Sequence, residues 1–206
     1  MLRKFLSIII LVLISQTTFA THIVGGEMTY SHITGLTYEI VLTTYRDDYA
    51  TGAAFDSPAT VHLYTEAGVF IESYAFVLDN RAQADQLLVN PYPNPCLDIP
   101  LDNQGNPNVL IQKGIYTSNI TVPSGIESYY LIYGRCCRNG VIDNLTNAAV
   151  QGSMFVAHIP PTNIYSNSSP TFINVPPIFL CENSPFSLDQ SAVDVDNDSL
   201  FYKLCS

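Results

Sequence analysis

The chain has no tryptophan and little charge. Asp, Glu, Lys and Arg make up 13% of its 206 residues, with only 8 basic side chains against 18 acidic ones. That shortage of bases excludes a nucleic-acid partner, because phosphate binding draws on clustered Lys and Arg, and here the bases are scattered along the sequence. Beyond residue 20 no apolar run approaches the roughly 20 residues that a membrane-spanning helix needs, so no transmembrane segment is expected. A sustained helical pattern of apolar residues at i, i+3 and i+4 is missing as well, which turns the reading towards strands. With 47% hydrophobic and 11% aromatic residues, the chain is also too apolar for a disordered acidic tail.

What is present begins with a targeting segment. Arg3 and Lys4 form a short basic region, Phe5 to Ile14 is an apolar run broken only by Ser7, and Thr18-Phe19-Ala20 offers a small-residue cleavage site. This is the three-part layout of a secretory signal peptide, residues 1–20. Its removal takes away two of the eight bases, so the exported chain is more acidic than the whole. Export to an oxidising compartment permits disulfides.

The remainder reads as short strands. Thr37 to Tyr45 is rich in β-branched and aromatic residues, with Tyr38, Ile40 and Leu42 on one face. Thr60 to Tyr64 and Val69 to Val77 follow, with a turn at Glu66-Ala67-Gly68. Ile115 to Val122, Glu127 to Tyr133 and Ser153 to Ile159 complete the set, bounded by Gly and Pro. Asn80 to Val89 is the one stretch with the makings of a short helix. Many short strands with frequent turns predict an all-β, immunoglobulin-like sandwich over residues 21–175. Asn167 to Pro177 is rich in Pro, Ser and Asn, like a linker. Residues 176–206 are then expected to begin a second immunoglobulin- or cadherin-like β domain of a longer parent chain.

Several motifs could carry chemistry. Ile23-Val24-Gly25-Gly26 is similar to the mature start of chymotrypsin-like proteases, but no serine in a matching context and no suitably placed histidine accompany it. The isolated His22, His32, His62 and His158 lack the pairwise spacing of zinc ligands. Glu27, Glu39, Asp47, Asp48, Glu66, Glu72 and Glu127 offer no spacing that singles out a glycosidase pair. The cysteines Cys96, Cys136, Cys137, Cys181 and Cys205 are disulfide candidates, their odd number leaving one thiol over. Cys181 could bridge to Cys205, and Cys96 to Cys136 or Cys137. Neighbours on a strand point to opposite faces, so Cys136 and Cys137 are expected to take different partners.

The sharpest signal is acidic. Asp194, Asp196 and Asp198 alternate on a short loop, with Asp189 just upstream. Such carboxylates can converge on calcium, which takes six to eight oxygen ligands. An EF-hand would need Gly and Glu where Ser199 and Cys205 stand. The loop instead resembles the inter-strand Asp-x-Asp-x-Asp-x-Leu turn of cadherin-like surface modules. The alternative is a solvated turn in which each Asp caps backbone amides.

Longer stretches carry a further resemblance. They are Thr21 to Tyr30, Tyr38-Glu39-Ile40, Tyr45-Arg46-Asp47, Phe55-Asp56 with Pro58-Ala59, Tyr133 to Asn139, Ser168 to Phe172, and the block from Pro176 through Cys181, Asn183 and Asp194 to Tyr202. In this order they resemble the start of large secreted surface proteins of Bacteroidota, labelled gliding-motility-associated. The resemblance implies an N-terminal β-sandwich followed by immunoglobulin- or cadherin-like repeats and a C-terminal sorting domain for type IX secretion. It carries no catalytic residues. Two departures stand out: Asp48 stands where the family's Tyr-Arg-Asp is followed by cysteine, and Tyr165 stands near another family cysteine; if those two positions pair in the family, this chain lacks that bridge.

Together these readings point to a non-catalytic, secreted, cell-surface adhesion or interaction module, with a glycan or protein ligand and further domains of the same parent chain as partners, and calcium as the one cofactor to expect. The alternative is a carbohydrate-binding module of a secreted polysaccharide hydrolase, for which the thirteen tyrosines would supply stacking surfaces.

Overall fold

The structure, a computed structural model, describes residues 23–47, 54–79, 86–87, 103, 111–139, 142–163, 166–174 and 183–203. Within them the protein is all-β. Ten strands run in chain order: β1 (Ile23–Thr34), β2 (Thr37–Asp47), β3 (Ala59–Thr65), β4 (Phe70–Phe76), β5 (Gln86–Leu87), β6 (Ile111–Thr121), β7 (Tyr129–Cys136), β8 (Gly152–Ile159), β9 (Thr171–Phe172) and β10 (Ala192–Val193). A 3-10 turn spans Ala148–Val150.

Two antiparallel four-stranded sheets enclose one core. The first has the order β1-β2-β6-β5 and the second β4-β3-β7-β8. Alternation builds both. Tyr38, Ile40 and Leu42 of β2 are buried, as are Val61 and Leu63 of β3, Tyr116 and Ile120 of β6, and Tyr129, Leu131 and Tyr133 of β7. Burying an aliphatic or aromatic side chain of this size stabilises by roughly 1.5–3 kcal/mol. The β1–β2 hairpin turns at Gly35-Leu36, where Gly35 has φ +55°, a conformation glycine adopts without steric cost. After β4 the chain crosses to the first sheet. The Asp79 amide donates to the Ile115 carbonyl at 2.8 Å, and Leu78 bridges Tyr116.

The sheets meet closely along one side, where β1 approaches β8. A Cβ built at Gly26 would stand 2.5 Å from the Thr43 carbonyl and 2.8 Å from the Phe155 ring. Glycine is therefore required by space rather than by dihedral angle. Phe155 stacks in turn on Tyr133, with ring centroids 6.1 Å apart.

The strands expected from composition are present, with ends shifted by a few residues. Two features differ. Ile23–Thr34, read in sequence as a motif, is a full strand. Gln86–Leu87, inside the stretch expected to be a short helix, pairs with Gln112 and Ile111 as β5. Pairing with the edge of β6 outweighs a weak local helix preference. The rest of that stretch, residues 80–85 and 88–89, lies outside the described residues.

Residues on either side of the expected domain boundary are joined. Thr171 and Phe172 pair with Val193 and Ala192. The Ser168 amide donates to Asp196 Oδ2 at 2.6 Å. Ser168 and Ser169 are anchored to β1: Tyr30 N–H donates to Ser169 Oγ at 2.8 Å, Ser169 N–H to the Tyr30 carbonyl at 2.8 Å, and His32 N–H to Ser168 Oγ at 3.2 Å.

Candidate functional site

The outer face of the second sheet is the most distinctive surface. Registers place its outward side chains in cross-strand rows. One row runs Phe70, Tyr64, Tyr130, His158 across β4, β3, β7 and β8. The next runs Ser73, His62, Ile132, Val156, and a third is made up of the pairs Ala75–Thr60 and Gly134–Met154. None of these positions is buried, and Phe70, Met154 and Val156 are 54%, 66% and 44% exposed. None carries Asp, Glu, Lys or Arg. Glu72 of β4 turns the other way and accepts from the Tyr74 hydroxyl at 3.1 Å. The outer face of the first sheet, by contrast, carries Glu27, Glu39 and Lys113.

The first row is aromatic from edge to edge. Tyr64 and Phe70 meet edge to face with centroids 5.7 Å apart, and His62 lies 6.2 Å from Phe70. On the other half Tyr130 and His158 are 4.8 Å apart and tilted. His62 Nδ1 lies 2.8 Å from Ser73 Oγ. Rings, hydroxyls and imidazole nitrogens thus share one uncharged surface.

A second cluster closes one end of the sandwich. Arg135 pairs with Asp56 at 2.8 Å, and Tyr133 donates to the other oxygen of Asp56 at 2.5 Å. Tyr116 donates to the Asp56 carbonyl at 2.9 Å. Burial, and then the bond to Asp56, hold the Tyr133 phenol well above the ordinary tyrosine range. Burial, followed by the Asp56 charge, pushes Tyr116 up to about 12. Beside this lock lies a half-open cavity of about 430 Å³ lined by Arg46, Ala54, Phe55, Ser57, Val77, Leu78 and Gln112. The Arg46 guanidinium sits 5.1 Å over the Phe55 ring and its Nε donates to Gln112 at 2.8 Å. These charged groups hold one another and the loop before β3 in place.

Cys136 and Cys137 are bonded to each other. This corrects the expectation that each takes a different partner, and with it the expected bridge from Cys96 to either one. The alternation behind that expectation applies within a strand, and β7 ends at Cys136. Cys96, Cys181 and Cys205 lie outside the described residues, as does His22. The remaining histidines stand apart from one another's polar atoms. His32 contacts the Gly35 carbonyl at 3.0 Å and the Tyr38 ring, while His62 and His158 belong to the uncharged face.

The acidic loop is organised by its own backbone. Asp194 Oδ1 accepts from the amides of Asp196 at 2.9 Å and Asp198 at 3.2 Å, and Asn197 takes the left-handed conformation with φ 62°. Asp189 accepts from the Ser191 amide and hydroxyl and from Asn174. These bonds, led by Ser191, lower its carboxyl below the ordinary range. Asp196 is engaged by Ser168. Among the described residues no three His, Cys, Asp or Glu stand together as a metal-holding group, so Asp189, Asp194, Asp196 and Asp198 are not brought to one point.

Set against family models, curated proteins and solved structures, the chain matches none of them.

Proposed function

We propose that this chain is a non-catalytic interaction module of a secreted surface protein, an immunoglobulin- or cadherin-like sandwich exported by way of residues 1–20 and placed at the base of a longer chain of the gliding-motility-associated kind. The observation that carries the reading is the outer face of the second sheet. A strongly acidic protein keeps charge off a whole four-stranded face, although its other sheet bears Glu27, Glu39 and Lys113. Large uncharged surface of this kind marks contact with something else. Two of the most strongly raised phenols, Tyr133 and Tyr116, are bound into the Asp56 lock, where they serve the fold.

A second reading, a carbohydrate-binding module attached to a secreted hydrolase, draws on the aromatic row itself, because rings with hydroxyl and imidazole edges suit sugars. Both readings are tested by immobilising the exported protein and measuring binding to whole cells and to isolated surface polysaccharide. Placing a carboxylate in the centre of the face with Ile132→Glu should weaken binding about tenfold, the scale of a desolvated charge at a contact. Unchanged binding in that variant would remove the face from the function, and release of reducing sugar would overturn the non-catalytic reading.

A further inference from the structure

We infer that the outer face of the second sheet binds an uncharged polysaccharide, laid across the strands along the Phe70–Tyr64–Tyr130–His158 row. The inference rests on reading that sheet as the interaction face and names what it takes.

Three observations converge on this ligand. The first is composition. Half of the positions in the three rows carry a hydroxyl or ring nitrogen, and the rest are apolar, with Ile132 and Val156 paired across β7 and β8. A protein–protein contact shares the tyrosines and the lack of charge, so the spacing of the rings decides between the two. A pyranose presents the same mixture, with C–H faces that stack on rings and hydroxyls at the rim.

The second is spacing. Neighbouring strands lie about 4.8 Å apart, close to the length of one pyranose unit, and the registers put one ring on each of four consecutive strands. A linear glycan crossing the strands can therefore meet a new ring at each step. The shape is open and flat, which suits the side of a chain rather than a single end.

The third is charge. The protein carries −10 formally, and an anionic glycan would approach against that field over a Debye length of about 10 Å. The face has neither Lys nor Arg to offset it. Uronate or sulfate chains are therefore disfavoured, and neutral chains are matched.

The test is affinity electrophoresis and calorimetry of the full chain after signal removal. The probes are neutral polysaccharides (glucan, mannan, xylan, galactan) beside anionic ones (alginate, chondroitin sulfate). The expected result is retardation by at least one neutral polymer and none by the anionic ones. Tyr64→Ala and Tyr130→Ala each weaken binding about tenfold, the worth of one aromatic stacking contact. Tyr64→Phe retains most of the affinity because it keeps the ring. Thr117→Ala and Asn119→Ala, on the outward side of the first sheet, change nothing, and melting curves confirm that the variants are folded. Preference for the anionic polymers, or binding that survives both alanine variants, overturns the inference while leaving an interaction module in place. So does light scattering that finds a dimer dissociated by Tyr130→Ala, which would assign the face to a second copy. Polysaccharide cleavage would instead overturn the non-catalytic reading beneath it.

Discussion

Tyr133 donates its phenolic hydrogen to Asp56 across 77 residues of sequence, at 2.5 Å, while the same carboxylate pairs with Arg135 two residues further along β7. One carboxylate thus ties the loop before β3 to the end of β7. Arg135 is 11% exposed and Asp56 38%, so solvent screens the ion pair on one side only.

Removing that carboxylate should destabilise the fold. Asp56→Ala leaves a largely buried guanidinium without its partner and is expected to cost about 1–3 kcal/mol. At about 2–4 °C per kcal/mol for a chain of this size, the melting temperature should drop by several degrees. Tyr133→Phe deletes only one donor and should cost about 1 kcal/mol. Equal losses in the two variants would contradict the lock.

Space at Gly26 sets a second expectation. A methyl group there meets the Thr43 carbonyl and the Phe155 ring, so Gly26→Ala must push β1 from β8 and is expected to cost about 1–3 kcal/mol. Phe155→Leu in the same chain should relieve the clash with the ring but not the clash with the Thr43 backbone. Denaturant titration of the single and double variants reads both terms.

Alkaline pH should erode stability in a defined window. The phenols of Tyr116 and Tyr74 are raised from 10.0 to about 12, each chiefly by burial. Below pH 10 both folded and unfolded chains keep these protons. Above it the unfolded chain releases them while the folded one holds on, so stability declines from about pH 10 towards 12. Tyr116→Phe should make that decline shallower, as followed by phenolate absorbance and chemical denaturation.

Asp194 separates two roles for the acidic loop. As acceptor for the Asp196 and Asp198 amides, it behaves like a cap, so Asp194→Ala should cost about 1 kcal/mol and Asp194→Asn, which keeps the acceptor oxygen, should restore most of it. A fall in melting temperature on adding EDTA, with no rescue by Asn, would instead place calcium on Asp189, Asp194, Asp196 and Asp198 as their spacing suggests.

Peptide mapping without reduction should recover Cys136 and Cys137 in one peptide lighter by two hydrogens than its reduced form, with no cross-link to the peptide holding Cys96.

Sequence made the strands legible where alternation was clean. Tyr38, Ile40 and Leu42 sit inside as their spacing requires, and Thr60, His62 and Tyr64 lie outward between buried Val61 and Leu63. β1 was harder to see because Gly25 and Gly26 break its pattern, although Met28, Tyr30 and His32 still alternate. The aromatic row was hidden for a different reason. Phe70, Tyr64, Tyr130 and His158 fall on four strands, and only register brings them side by side. A partial signal was available, since the outward positions of β3, β7 and β8 contain no charge. The Cys136–Cys137 bond could not be read from alternation, because that rule stops where the strand does.

The anchoring of Ser168 and Ser169 to β1 has a consequence for self-assembly. β1 is the outermost strand of the first sheet, and its free hydrogen-bonding rim is where a foreign strand could dock and propagate fibres. At Tyr30 both the amide and the carbonyl on that rim are already taken by Ser169, and the His32 amide by Ser168. The protein thus stoppers its own open border with two serines, so even a concentrated chain does not offer the middle of β1 as a template for fibre growth.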